Sequence, residues 1–213
     1  FTLVTLVSPS KITFEENVFP AEYEQDSVEN PITLILLPKE EEKIELDYIM
    51  ENNNRLWGCK GNEIRASKVG YPTQWNTFAG LSTDSYVAEV GTDGDFTGCA
   101  SYGNQLLFFK EEYIHILTGT KPSNYQIMTL KCHGLQKGCE KSLCKINETL
   151  YYKSRVGVMM YQGGIPQLIS DNFGLVQYGT AAAGTDGVKY YLSARRGEEY
   201  EMLVYDTRRG LWH

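Results

Sequence analysis

Apolar and aromatic residues recur along the chain in short runs separated by polar or glycine-containing turns. Four of these runs are followed by a turn and a second run, which is the pattern of a β-hairpin. The predicted hairpins pair RLWGC with EIRAS, QLLFF with YIHIL, TLYYK with GVMMY, and VKYYLSA with YEMLVYD. After the hairpins come a turn and a further aromatic or apolar segment, namely GYPTQWNTF, GTKPSNYQIM, GGIPQLIS and TRRGLWH. The pattern therefore predicts four similar β units.

The first two units align without a gap at a spacing of 50 residues. The matched pairs are Leu56 with Leu106, Lys60 with Lys110, Ile64 with Ile114, Pro72 with Pro122, and Trp75 with Tyr125. The tetrapeptide GTDG, at 91–94 and 184–187, occurs just before the strands of the second and fourth units and supports the same count. A period of about 40–50 residues with several strands per unit is typical of a β-propeller, in which neighbouring blades cover each other's faces.

We therefore predict an all-β fold, a β-propeller with about four blades of antiparallel strands in a fragment of a longer protein, either closed or part of a larger ring. The predicted blades span about 47–90, 91–135, 136–178 and 179–213. Residues 1–46 are predicted to be a strand pair or projecting hairpin of a preceding blade, with strands at 1–7 and 31–38. Positions expected to build the blade cores and turns are Leu56, Trp57, Ile64, Pro72, Trp75, Leu106, Ile114, Pro122, Tyr125, Tyr151, Pro166, Tyr205 and Trp212.

Composition and charge narrow the function classes. Aromatic residues make up 12% of the 213 residues, and the formal net charge is -7. A negative surface repels phosphate backbones and anionic lipid, so tight nucleic-acid or membrane binding is disfavoured. The five cysteines are an odd number, which favours reduced thiols over a paired disulfide scaffold.

Candidate chemistry is sparse. The chain contains no nucleophile, phosphate-binding or dinucleotide motif, and its paired acids, such as Glu111 and Glu112, are predicted to be solvated loop residues. We therefore predict no catalytic residue and no cofactor. One cluster could supply soft metal ligands, and its members are Cys132, His133, Cys139 and Cys144. Its spacing does not match the usual C-x2-C metal knuckle, so we prefer a linker with ordinary thiols over a metal or disulfide site.

Three segments carry a resemblance to a known family. NNRLWGCKGNEIRASKVGYPTQWNTF resembles the blade motif of phage and prophage tail proteins built as propellers. GVMMYQGGIPQLIS resembles a second recurrent blade segment of those proteins, and VYDTRRGLWH has the Tyr-Asp…Trp closing pattern of several propeller families. The resemblance covers roughly residues 47–213, and the nearest group is the tail nozzle or tail-stabilisation proteins of short-tailed phages.

The resemblance implies a non-enzymatic structural component of a phage or prophage virion tail. Such a protein would be assembled in the bacterial cytoplasm, as a homo-oligomer with other virion tail proteins, and DNA would pass through its lumen. The alternative is a carbohydrate-binding or glycan-cleaving receptor-binding propeller, which predicts acids and aromatic rings that converge on one face. A general bacterial interaction propeller is a third interpretation.

Overall fold

The computed structural model describes residues 4–8, 11–14, 44–174 and 176–213. The chain divides into two compact units, Phe1–Glu40 and Glu41–His213. In the first unit, β1 (Val4–Ser8) pairs antiparallel with β2 (Lys11–Phe14). The partner of the first strand is therefore a segment for which the sequence predicted no strand. The strand predicted at 31–38 lies outside the described residues.

The second unit consists of four antiparallel sheets, each formed by four strands in chain order. Sheet 1 contains β3 (Tyr48–Asn52), β4 (Arg55–Lys60), β5 (Glu63–Ala66) and β6 (Tyr86–Glu89). Sheet 2 contains β7 (Gly98–Tyr102), β8 (Gln105–Phe109), β9 (Tyr113–Thr118) and β10 (Gln126–Lys131). Sheet 3 contains β11 (Cys144–Ile146), β12 (Thr149–Lys153), β13 (Val158–Tyr161) and β14 (Gln167–Leu168). Sheet 4 contains β15 (Ala181–Thr185), β16 (Lys189–Arg196), β17 (Glu199–Asp206) and β18 (Leu211–Trp212).

The all-β prediction is confirmed, and each predicted hairpin forms the two central strands of one sheet. Helical structure among the described residues is limited to three short 3-10 turns at Pro122–Asn124, Glu140–Ser142 and Asp171–Phe173. In this described part of the chain, no helix has the length and apolar character needed to cross a membrane.

Two segments that recur in the sequence have different structures in the different units. The segment GYPTQWNTF, at 70–78, contains no strand of sheet 1, because the connection between β5 and β6 is a long loop and β6 begins only at Tyr86. The two GTDG tetrapeptides occupy different places. Residues 91–94 lie in the linker before sheet 2, whereas 184–187 form the hairpin between β15 and β16 inside sheet 4. The shared feature is a local turn, since Gly94 and Gly187 both have positive φ.

The four sheets pack face to face in series. In β8, Phe108 belongs to one hydrophobic cluster with Trp57 of sheet 1, and Phe109 belongs to a second cluster with Tyr152 of sheet 3. Because successive side chains of a strand point to opposite faces, one strand can fill both interfaces. Tyr151 of sheet 3 then contacts Tyr190 of sheet 4, with ring centroids 5.5 Å apart. Sheets 2 and 3 are therefore covered on both faces.

The outer faces of sheets 1 and 4 have no such partner among the described residues of this unit. The free face of sheet 1 is mainly charged and carries Ile49, Glu51, Leu56, Lys60, Glu63, Arg65, Val87 and Glu89. The free face of sheet 4 has a smaller share of charged residues and carries Ala182, Gly184, Lys189, Tyr191, Ser193, Arg195, Tyr200, Met202, Val204, Asp206 and Leu211. The end of the stack at sheet 1 is therefore the more highly charged of the two.

Candidate functional site

Most of the predicted blade positions lie in the packed interior. Six are buried in the two hydrophobic clusters: Trp57, Ile64, Leu106, Ile114, Tyr151 and Tyr205. Trp212 packs against Tyr205, with ring centroids 4.9 Å apart. Pro166 is buried just before β14. These positions support the sheets and their interfaces.

The remaining predicted positions lie at the surface or in loops. Leu56 is partly buried on the free face of sheet 1, although its sequence match, Leu106, is fully inside. Pro72 is exposed in the long β5–β6 loop, and Trp75 is buried in that loop rather than between sheets 1 and 2. Pro122 begins the 3-10 turn before Tyr125. The match at spacing 50 therefore holds for strands and fails in the loop.

A buried arginine fixes the β5–β6 loop. The Arg55 guanidinium donates hydrogen bonds to the carbonyls of Ser67 at 2.8 Å, Ser82 at 2.9 Å, and Asp84. The Asp84 carboxylate in turn accepts backbone N–H groups from Leu81 and Ala79, and the Leu81 bond lowers the pKa of Asp84. Arg55, the first residue of the RLW segment, thus holds the β5–β6 loop in place. The hairpin pattern of the sequence did not predict this role.

An aromatic triad lies beside this arginine, between sheets 1 and 2. The rings of Trp57 and Tyr125 are 5.3 Å apart, those of Tyr86 and Tyr125 are 4.9 Å apart, and both pairs are edge-to-face. Edge-to-face contacts at this separation are favourable beyond the area they bury. Tyr125 therefore packs between the sheets, whereas its sequence match Trp75 does not.

The β3–β4, β5–β6, β7–β8 and β9–β10 connections meet along one side of sheets 1 and 2, which we call the hairpin edge. A cavity of about 460 Å³ opens there, with Trp57 and Tyr125 in its wall. Its polar lining is formed largely by neutral side chains, among them Asn52, Asn53, Asn104, Gln105, Thr118 and Thr120. The cavity can therefore supply amide and hydroxyl groups next to an aromatic ring.

The opposite side of sheets 1 and 2, which we call the linker edge, is acidic. It is formed by the β4–β5 and β8–β9 hairpins and the linker at 90–97. Two cavities of about 530 Å³ share Asp93 and Asp95; one is also lined by Glu89, and the other by Glu111, Glu112, Lys131 and Lys137. Among the described residues, no group of three or more His, Cys, Asp or Glu side chains is arranged to hold a metal ion.

Two buried basic groups support the linker edge from inside. The Lys110 amine donates to Asn62 Oδ1 and, at 2.7 Å, to the Thr92 carbonyl, and burial lowers its pKa. The His115 ring contacts the hydroxyls of Thr92 at 2.9 Å and Thr129 at 3.0 Å. Burial, together with repulsion from Lys110, lowers the pKa of His115 to about 4. Both groups tie the linker to the sheets rather than face solvent.

The predicted soft-ligand cluster lies around the linker between sheets 2 and 3. Its three thiols are free; Cys139 is buried, Cys132 and Cys144 are partly buried, and His133 is exposed. Cys139 Sγ lies 3.4 Å from the Gly179 carbonyl, and the His133 carbonyl accepts a hydrogen bond from Tyr152. The contacts of Cys139 and His133 therefore join the linker to its neighbours in sheet 3 and just before sheet 4.

The free face of sheet 4 carries several exposed apolar side chains. Tyr200 is 63% exposed, Met202 is 61% exposed and Leu211 is 54% exposed. Tyr191 and Val204 lie between them on the same face, opposite each other in the β16–β17 pair. Contiguous apolar side chains on a rigid sheet are a common basis for protein association. Sequence reasoning missed this site, because an aromatic strand pattern does not tell which faces are covered.

Comparison with known proteins gives little further information. No protein-family model and no curated protein matches the sequence. The chain is similar to a chain in the crystal structure of the Chaetomium thermophilum heterotrimeric Nup82 NTD-Nup159 TAIL-Nup145N APD complex, with a TM-score of 0.49 and 9% sequence identity. The match covers 73% of this chain and 41% of the other, so this chain spans about two fifths of the length of that chain.

Proposed function

We propose that residues 47–213 are blades of a β-propeller and that the protein is a non-enzymatic structural component of a phage or prophage virion tail. The observation that carries the proposal is the serial packing of four-stranded meanders, with sheets 2 and 3 covered on both faces. Such packing is the way in which propeller blades bury their surfaces. The first strands of neighbouring sheets also contact each other, β3 with β7 and β11 with β15. These contacts fit propeller blades that converge along their first strands.

The tail assignment is supported by the structural roles of the residues that carry the resemblance. Arg55 of the RLW segment holds the Gly-x-Pro loop by its carbonyls. In the VYDTRRGLWH segment, the Asp206 carboxylate accepts the backbone N–H groups of Arg208 and Arg209. Trp212 Nε1 donates to the Ile169 carbonyl at 2.8 Å, which ties sheet 4 to the segment after β14. The motif residues therefore build and close the units rather than line a reaction centre.

A structural role is also favoured by the use of the buried polar groups. Arg55, Lys110, Lys153 and His115 are each at least 97% buried, and each has hydrogen-bond partners inside the fold. The acidic linker edge would repel DNA phosphates, which suits a channel that must not retain DNA. Tight DNA binding by the assembled protein at moderate salt would contradict the channel role.

We propose the free face of sheet 4 as a contact in the assembled particle, either with a further copy or with another tail protein. The rigid sheet fixes its shape, and its exposed Tyr200, Met202 and Leu211 offer an apolar surface. Interface cores are enriched in Tyr and Met and depleted in charged residues, and the central pairs of this face, Tyr191 with Val204 and Ser193 with Met202, are uncharged.

Light scattering over a concentration series tests this assembly. We expect a rise in mass with concentration that Met202→Glu abolishes. Met128→Glu is the matched control, because Met128 is 59% exposed on β10, away from this face. A wild-type mass that stays monomeric at all concentrations, alone and with tail proteins added, would contradict the assembly role.

A carbohydrate-binding propeller is the second candidate function, and the 460 Å³ cavity favours it. Amide and hydroxyl side chains beside a tyrosine ring suit a neutral polyhydroxylated ligand. Binding on an array of bacterial cell-wall glycans, lost in Asn104→Ala and kept in Asn147→Ala on the corresponding hairpin of sheet 3, would favour this function over the structural one. An array with no bound glycan would exclude it.

A further inference from the structure

Two cysteines from different sheets meet at the interface of sheets 1 and 2. Cys59 lies on β4 and is fully buried, and Cys99 lies on β7 and is partly buried. Both point into the same hydrophobic cluster, which contains Cys59 and has Cys99 packed against it.

The packing of the backbone brings together the strands that carry these two residues. Strands β4 and β7 approach each other within 8 Å between Cα atoms. The sheet registers place both side chains on facing surfaces: Cys59 is opposite Ile64 in sheet 1, and Cys99 is opposite Phe108 in sheet 2. Ile64 and Phe108 belong to the same interface cluster. A disulfide needs adjacent Cβ atoms that point toward each other, and this register supplies that direction.

We propose that Cys59 and Cys99 form a redox modification site, in which a small-molecule disulfide such as oxidised glutathione converts the two thiols into a bridge between sheets 1 and 2. The bridge joins positions about 40 residues apart in the chain and passes through the core of one blade-to-blade interface. It would fasten sheet 1, an end sheet, to the remainder of the stack when the protein leaves a reducing compartment.

The reaction proceeds in two exchange steps. The Cys99 thiol, which solvent can reach, loses its proton and attacks one sulfur of oxidised glutathione. The S–S bond of glutathione breaks, a protein–glutathione mixed disulfide forms, and one reduced glutathione leaves with the proton. The Cys59 sulfur then attacks the Cys99 sulfur, loses its own proton and releases the second reduced glutathione. The two cysteines together lose two electrons, which oxidised glutathione accepts.

The order of the two steps follows from access and acidity. The interaction with Cys99, followed by burial, raises the pKa of the Cys59 thiol. A thiol that resists deprotonation is a poor first nucleophile. Cys59 is therefore suited to the second, intramolecular step, in which the partner sulfur is already in place. The other three cysteines have neighbours of a different kind, such as the Leu130 carbonyl at Cys132 and the Gly179 carbonyl at Cys139.

The test is incubation of the reduced full chain with oxidised glutathione, followed by alkylation under denaturing conditions and peptide mapping by mass spectrometry. We expect a linked peptide containing Cys59 and Cys99, three of the five thiols still alkylated, and a Tm higher by roughly 5–10 °C. Cys99→Ser should abolish the linked peptide and the Tm rise. Cys144→Ser, at another partly buried strand position, should keep both.

Two results would overturn the proposal. One is a mixed disulfide that persists on Cys99 with Cys59 still alkylated, which would show that the sulfurs do not reach bonding distance. The other is a linked peptide from a different cysteine pair. Cys99→Ala provides a second variant if the serine variant fails to fold, and far-ultraviolet circular dichroism of each variant checks the fold.

Discussion

Sheets 1 and 2 carry the same sequence pattern at a spacing of 50 residues, yet equivalent positions have different surroundings. Lys60 lies on the free face of sheet 1, has a side chain that is 46% exposed and pairs with Glu45 at 2.5 Å. Its match Lys110 is 1% exposed, because sheet 1 covers that face of sheet 2. The two lysines occupy the same position in their hairpins. Their exposure therefore depends on whether a neighbouring sheet packs against that face.

The same contrast applies at the centre of the two sheets. Phe108 of sheet 2 fills the interface with sheet 1, and its ring centroid lies 6.4 Å from that of Trp57. Its match in sheet 1 is Gly58, where an added Cβ would meet Leu46 Cδ1 at 2.5 Å. A glycine at this position lets the segment before β3 lie directly on the free face. Leu46 therefore covers the free face of sheet 1 at Gly58, whereas the neighbouring sheet covers Phe108.

Truncation of the matched leucines should give the largest difference. Leu106→Ala removes a side chain that is 4% exposed at the interface of sheets 1 and 2, so we expect a loss of about 4 kcal/mol in the free energy of unfolding. Leu56→Ala, on the free face, should cost about 1 kcal/mol or less. Urea denaturation measures both values. Equal losses at the two sites would mean that both faces are covered.

The β4 and β8 strands begin with another informative pair, Arg55 and Gln105. Arg55→Leu leaves three loop carbonyls without their donor, so we expect a loss of about 3 kcal/mol, together with faster proteolysis within residues 67–85. Gln105→Leu is the control, because Gln105 accepts one hydrogen bond, from Tyr161. Urea denaturation and limited proteolysis provide the measurements. A loop that stays protected in Arg55→Leu would show that the arginine does not hold it.

We expect the free energy of unfolding to depend on pH through His115 and not through its sequence match, Arg65. The folded pKa of His115 is about 4, below the ordinary value of 6.5, so its contribution to stability is complete above pH 6.5 and is lost as the pH falls toward 4. The shift corresponds to about 3 kcal/mol. His115→Gln should remove this pH dependence, whereas Arg65→Gln should leave it unchanged. The test is to measure the free energy of unfolding across this pH range. If its slope against pH is unchanged in His115→Gln, the pH dependence does not come from His115.

The smallest predicted effect compares the two lysines. Lys110→Met deprives Asn62 Oδ1 and the Thr92 carbonyl of their donor and should cost about 2 kcal/mol. Lys60→Met removes an exposed ion pair and should leave the free energy of unfolding unchanged within error, because solvent screens such pairs. Thermal unfolding at low and high salt measures the difference. A loss of stability in Lys60→Met that salt does not reduce would indicate a buried environment on the free face.

The sequence predicted the central hairpins because their aromatic and β-branched runs are strong strand signals. It missed the first strand of each sheet, such as GCASY in β7 and AAAGT in β15, since small residues give little β signal. Trp75 and Tyr125 align at the 50-residue spacing but differ in structure, because similar residues can adopt a different conformation in a loop.

The site features depend on contacts that no local pattern reports. The apolar face of sheet 4 is exposed because no further sheet among the described residues covers it. Burial therefore alternates along β16, whereas residues 150–153 of β12 are all buried. The meeting of Cys59 and Cys99 requires the register of two hairpins and the packing of two sheets. Such long-range geometry could be predicted only after the stacking order was known.

The rate of methionine oxidation by dilute hydrogen peroxide, read by mass spectrometry, tests the central claim most directly. Met160 and Met202 both lie on the third strand of their sheet, in sheets 3 and 4, but Met160 packs against the core and Met202 is 61% exposed. In the monomer, we predict that Met202 and Met128 are oxidised fastest and that Met160 is oxidised more slowly. Met159, which is 3% exposed, should be oxidised slowest. Equal protection of Met202 and Met160 in the monomer would contradict a stack with a free face on sheet 4.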